Sequence, residues 1–244
     1  MDIIKEKINN NNIIAGLATG YKKESKLSFY KTKSYSHEEV KYSRFSLEQY
    51  ISKQYNINNL RFYYQKQKHT DKVLKINKHN ISTDQVSDAV ITNEQDLILN
   101  ASVADCTAVI LYENNKTVVG LAHSGWRGTK MNIVARTVKM MKQEYDIKIK
   151  DLNAVLLASA SQTNYEVGRE FMDYFPNNTI ISNNKYYYNN QYRIQEQLIE
   201  IGLKKNKIKV NTQCTISNKR YHSYRRDGIK SGRMNAYVGI LSRH

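Results

Sequence analysis

The sequence predicts an α+β domain in which mixed β-sheets carry helices packed on their outside. Three observations lead there. Residues 108–112 (AVILY) and 117–122 (TVVGLA) are apolar, β-prone runs separated by a short polar stretch. Val134, Val138, Met141 and Tyr145 recur at helical spacing directly after them, as do Ile194, Leu198 and Ile201 further on. A length of 244 residues suits one large domain with a substantial core, so we expect residues 1–244 to form a single domain.

Taken in order, residues 12–17 (NIIAGL) read as a strand entering a glycine-containing turn. Ser46-Leu47-Glu48-Gln49 has capping-box spacing, so a short helix bearing Tyr50 and Ile51 should begin there. Residues 88–92 (DAVIT) form a short strand, and residues 97–99 (LIL) lead into the central hairpin. Asn114 and Asn115 make a reasonable two-residue turn, because Asn tolerates the positive φ it needs. With that tip, Cys106 lies opposite His123 and Val109 opposite Gly120, at Cβ separations of about 4.5–5.5 Å. A thiolate and an imidazole so placed can share a metal or a proton. A one-residue slip would put them on opposite faces.

Asp105 points away from Cys106 on a regular strand and is assigned a structural hydrogen-bonding role. Ser124-Gly125-Trp126-Arg127-Gly128 follows the hairpin, and Thr129 is expected to cap the helix after it. Such a strand–loop–helix junction offers free backbone N–H groups to an anion beside His123. Residues 154–158 (AVLLA) form another strand, and the Asn-rich residues 177–190 a polar loop. Gly202 can end the helix of Ile194 and Leu198. Residues 207–210 and 235–241 complete the strands.

The chain carries 38 Lys+Arg against 22 Asp+Glu, a formal charge of +16. The lysines are scattered and no nucleic-acid-binding motif appears. The charge therefore points to an anionic substrate rather than to a dedicated nucleic-acid role. Its Lys, Asn, Ile and Tyr richness suggests an AT-rich genome. Two cysteines make no disulfide framework, no run is long enough to span a membrane, and the N-terminus lacks a signal peptide's apolar core. Cytoplasmic residence is the expectation.

The segments VADC, LAHSGWRG and YHSYRRDGIKSGRM, in that order and spacing, carry a specific resemblance. The chain resembles the multicopper polyphenol oxidoreductases, or bacterial laccase-like proteins, better described as zinc-dependent purine nucleoside phosphorylases. Gln67-Lys68-His69 is similar to that family's Gln-Val-His-Gly, so the resemblance implies His69 as the first metal ligand. Cys106 and His123 join it, all three serving catalysis. It implies Arg44 as a residue near bound phosphate, and Gly125, Arg127 and Gly128 are further phosphate candidates. Thr70, Ala108 and Leu157-Ala158 stand where the family has Gly, Pro and Gly-Pro.

Two imidazoles and a thiolate suit zinc and leave a fourth position open; copper is the alternative. The resemblance then implies phosphorolysis of adenosine, inosine, guanosine or methylthioadenosine to a free base and ribose-1-phosphate. Adenosine deamination is implied as well. The competing classes are a copper polyphenol oxidoreductase, a metal-free cysteine hydrolase using Cys106 and His123, and a binding module linked to cell-wall precursors. Six histidines are few for a multicopper protein. For the C-terminal segment, an arginine cluster for an anionic or purine ligand competes with an Arg–Asp network that fixes the chain end. The oligomeric state is not legible.

Overall fold

The computed structural model describes residues 2–8, 10–22 and 25–242. The chain begins with β1 (Ile3–Lys5), β2 (Ile13–Ala18), a ribbon of β3 (Tyr21–Lys22) and β4 (Ser25–Lys26), and α1 (His37–Tyr55). Next come β5 (Arg61–Tyr64), β6 (Val73–Lys75), β7 (Ala89–Thr92), β8 (Leu97–Val103), β9 (Thr107–Glu113) and β10 (Val118–Ser124). After α2 (Trp126–Lys130), α3 (Ile133–Tyr145) and β11 (Leu152–Leu156), a small insert holds β12 (Glu166–Val167), α4 (Phe171–Tyr174), β13 (Thr179–Ser182) and β14 (Lys185–Tyr188). The chain closes with α5 (Asn190–Glu200), β15 (Ile208–Val210), α6 (Tyr224–Asp227) and β16 (Met234–Ile240).

The strands make two large mixed sheets, ordered β1-β2-β16-β8-β5 and β15-β11-β9-β10-β7-β6. Their inner faces pack together through Leu17, Leu99, Val238, Ile110 and Leu121. The outer face of the six-stranded sheet, with Val109, Leu111 and Ala122, packs on α3 and α5 through Val134, Val138, Met141, Ile194 and Leu198. On the far side, Ile98 and Tyr237 of the other sheet meet Leu47 and Ile51 of α1. The result is helix, sheet, sheet, helix, an α+β architecture with its helices outside. Central strands buried on both faces read as unbroken apolar runs, which is why AVILY shows no alternation.

Five local expectations are corrected. The β9–β10 loop has four residues, and His123 pairs with Ala108 and Gly120 with Leu111. Hence neither Cys106–His123 nor Val109–Gly120 is the cross-strand pair. The Glu113 carboxylate accepts the amides of Asn115 (3.1 Å) and Lys116 (2.6 Å), stabilising the wider turn. An Asn-Asn two-residue turn does occur, at Asn183–Asn184, both in the left-handed region (φ 49° and 59°). It turns the expected loop of residues 177–190 into the β13–β14 hairpin.

The capping box lies one decade earlier than expected, at Ser36 and Glu39. Ser46 bonds back to Tyr42 O inside α1 instead. Thr129 sits within α2 and caps nothing; its hydroxyl is drawn to Asn190 Oδ1 (2.8 Å), and α3 starts after Asn132. Gly16, read as part of a turn, lies inside β2. Among the described residues, no helix is long and apolar enough to cross a membrane.

Candidate metal and anion site

His69, Cys106 and His123 converge from three separate elements, and their ligand atoms all lie within 4.8 Å of one another. His69 comes from the loop between β5 and β6, Cys106 from the bend between β8 and β9, and His123 from the end of β10. Among the described residues this is the one group of three or more His, Cys, Asp or Glu donors close enough to share an ion. The register error in the hairpin was two residues. Cys106 itself stands in the bend just before β9, outside the ladder, and that bend rather than strand alternation brings its thiol to His123.

Cys106 lies across from Gly125. A Cβ at position 125 would stand 2.7 Å from Cys106 Sγ and 3.4 Å from His69 Cδ2. Gly125 is therefore needed to leave room for the donors.

Asp88 organises the group. Its fully buried carboxylate meets His123 Nδ1 at 2.9 Å, directing Nε2 toward the site. The same carboxylate accepts the backbone amides of Lys68 (3.2 Å), His69 (3.0 Å) and Thr70 (2.6 Å), and the Thr70 hydroxyl (2.8 Å). This clamp holds His69 in the left-handed region at φ 58°. Thr70, where the resembling family has Gly, thus contributes a hydroxyl to the clamp.

Charge and burial set the chemistry. Burial alone would push the Cys106 thiol up, but the His123 and His69 imidazoles hold it down at about 6. Burial would depress His123, while the Cys106 thiolate and Asp88 raise it to about 9. Asp88, despite burial, is held at about 2 by His123 and Thr70. Near neutral pH this favours a Cys106 thiolate beside a protonated His123, and a metal ion would take the place of the His123 proton that faces the thiolate. Two nitrogens and one thiolate at these separations need only small rotations to reach the ~2.0–2.3 Å bonds of a shared ion, so the donor set fits a metal.

The group lies in a cavity of about 610 Å³. Trp126, Tyr165 and Tyr224 line it with aromatic faces, while Lys31, Lys33, Arg127, Arg225 and Arg233 supply positive charge. Asp105 is the one carboxylate in the lining, and it is engaged by Thr215 Oγ1 (2.7 Å) and Arg225 N (2.7 Å), the structural role expected of it.

Of the phosphate candidates, Gly125 and Arg127 line this cavity, whereas Gly128 and Arg44 do not. The Arg44 guanidinium stacks 4.1 Å from the Tyr64 ring and gives Nε and Nη2 to Phe29 O. The C-terminal arginines divide. Arg226 is tied to Asp227 (2.7 Å) and to three backbone carbonyls, the structural network, while Arg225 and Arg233 face the cavity.

Sequence reasoning missed Asp88 and Asn190. The signal for Asp88 was an acid directly preceding a buried apolar strand. Asn190 is buried and bonds Thr107 Oγ1, Ser124 O, Thr129 Oγ1 and Tyr188 OH, fixing the turn after β10. Nothing in its sequence context set it apart from the other asparagines nearby.

Known proteins resemble this chain throughout. The family described as multi-copper polyphenol oxidoreductase laccase matches residues 33–241. A purine nucleoside phosphorylase of Aquifex aeolicus is 41% identical over 175 residues, covering 72% of this chain and 81% of that protein. One from Clostridium acetobutylicum is 31% identical over 179 residues, covering 72% and 75%. The crystal structure of YlmD from Geobacillus stearothermophilus superposes with a TM-score of 0.83 at 22% identity, over 99% of this chain and all of that one, a likeness of fold.

Proposed function

The chain belongs to the multi-copper polyphenol oxidoreductase laccase family, and from that premise we propose that it is a purine nucleoside phosphorylase with zinc held by His69, Cys106 and His123. The observation that carries the reading is the His-Cys-His group inside a cavity rich in cations and aromatic rings. That relatives are named purine nucleoside phosphorylases supports phosphorolysis as the reaction such a cavity serves. A metal bound there supplies Lewis acidity to a substrate oxygen.

The protein's own residues do the rest. Asp88 fixes the His123 tautomer and the His69 loop, so the donors are preorganised. Trp126, Tyr165 and Tyr224 offer faces on which a purine stacks. The lysines and arginines of the lining neutralise phosphate as it approaches C1′. A phosphate oxygen bonds to C1′ while the glycosidic C–N bond breaks. That bond's electron pair leaves with the base, which takes up a proton, and the sugar 1-phosphate remains: ribose-1-phosphate from a nucleoside, its 5-methylthio analogue from methylthioadenosine.

The substrates are adenosine, inosine, guanosine and methylthioadenosine, with adenosine deamination to inosine as a second activity. The whole chain acts as one domain in the cytoplasm, with no dedicated nucleic-acid or membrane partner. The family's description as multi-copper makes copper the alternative metal, but the His-Cys-His group among the described residues provides for one ion, and several coppers would need further groups of ligands.

The test is base release from inosine by zinc-loaded protein. Hypoxanthine should appear only with inorganic phosphate present, together with ribose-1-phosphate. Cys106→Ala should lose bound zinc and turnover while keeping its circular dichroism spectrum. Free ribose formed without phosphate would instead identify a hydrolase, and full zinc occupancy in Cys106→Ala would remove that residue from the ligand set.

A further inference from the structure

We propose that the Nε–Nη2 edge of Arg233 binds the phosphate that the reaction consumes, an assignment that rests on the phosphorylase reading above. Two other arginines of this chain show what that edge does. Arg220 lays Nε and Nη2 on the Asp2 carboxylate, and Arg226 lays the same pair on Asp227 at 2.8 and 2.7 Å. The fork matches the spacing of two oxygens on one anion, carboxylate or phosphate alike.

Arg233 presents this edge unfilled. Its Nη1 donates to Ser231 O (3.1 Å) and Gly232 O (2.9 Å), which fixes the guanidinium in place, with the Tyr224 ring 5.3 Å away. Among the described residues nothing accepts from Nε or Nη2, and no carboxylate forms an ion pair with Arg233. It is half-buried in the wall of the cavity that holds His69, Cys106 and His123. Cys106 and Asp105 act on it only through space, so a half-buried guanidinium with no anion bonded to that edge is costly, and an arriving anion offsets part of that cost.

The other cations suit the role less well. Arg44 has spent the same edge on Phe29 O, outside the lining. Arg225 leaves the same edge open, but it is exposed on the rim and held only by Nη1 on Glu166 O, so water screens it and its fork is less firmly aimed. Arg127 is exposed, 4.2 Å from the Trp126 ring. Lys31 and Lys33, exposed at the rim, are placed to attract the anion without orienting it.

Arg233→Gln and Arg233→Lys, loaded with zinc, test the assignment. Both should raise the phosphate KM at least tenfold, with the inosine KM and zinc stoichiometry within about twofold of wild type. The lysine variant keeps the charge and loses the fork, so its defect should persist. Calorimetric titration with inorganic phosphate alone should show the same loss of affinity. That loss in a protein that cleaves no nucleoside would support the subsite while sinking the phosphorylase reading. Unchanged phosphate KM and affinity in folded Arg233→Gln would overturn the subsite and leave the phosphorylase standing. Should the variants fail to fold, a crystal of the wild type grown in phosphate decides: oxygens on Nε and Nη2 support the proposal, and phosphate elsewhere in the cavity with that edge empty overturns it.

Discussion

Asp88 binds five donors through two oxygens, and two of the three candidate ligands depend on it. Asp88→Asn keeps the shape but loses the charge and can present an N–H where His123 Nδ1 now donates. We expect metal affinity to fall by about 10- to 100-fold, as losses of such supporting contacts do, measured by competition with a chromogenic chelator. The acid stability of the metal-free protein should respond too. The Asp88 carboxyl is depressed in the folded state to about 2 from an ordinary value of 3.8. A depressed folded pKa contributes stability that is complete above the unfolded value and is lost as pH falls through the folded one. Metal-free wild type should therefore lose stability between about pH 4 and pH 2. Asp88→Asn should be less stable at neutral pH and show a flatter profile across that window in urea titrations.

At the scale of elements, the junction from β10 to α2 is tuned to Cys106. Gly125→Ala would bring a methyl to 2.7 Å from Cys106 Sγ, closer than van der Waals contact permits. We expect an overpacking cost of about 1–3 kcal/mol in urea unfolding, with a displaced thiol and weakened metal binding. Unchanged metal affinity in that variant would mean the loop yields without moving the ligand. This element was half legible. The Gly-Trp-Arg-Gly composition marked the loop as special and suggested an anion cradle, but gave no sign of the clearance it leaves for a sulfur. The clash involves a residue nineteen positions away, and local propensity carries no such information. The pairs Asn114-Asn115 and Asn183-Asn184 make the same point. Only Asn183–Asn184 forms a two-residue turn, because at residues 114–117 the Glu113 carboxylate captures the loop amides.

For the whole molecule, the site stands on the interior between the two large sheets. Leu121 of β10 is fully buried there, two residues from His123. Leu121→Ala should cost about 2–5 kcal/mol, since neither sheet can collapse into the space. The loss should appear as a lower urea midpoint at unchanged slope, with the metal still bound under native conditions. A changed slope would mean that the sheet pair, and not one contact, had loosened.

The sequence by itself determined the strands of the central hairpin, the helices after it, the α+β class and the identity of the His-Cys-His group. Apolar periodicity is a local property, and the motifs named their own residues. The meeting of Cys106 and His123 was expected from a hairpin register that the structure corrects, and Cys106 reaches the site from the bend before β9. Only the tertiary structure decided the strand register, the position of Asp88 beneath two of the donors, the burial of Asn190 under the β10 turn, and which half-buried arginine of the cavity wall keeps a free fork. Each of these depends on what a distant segment leaves unsatisfied. Arg44 and Arg233 carry the same side chain, and one carbonyl, Phe29 O, separates a filled edge from an open one.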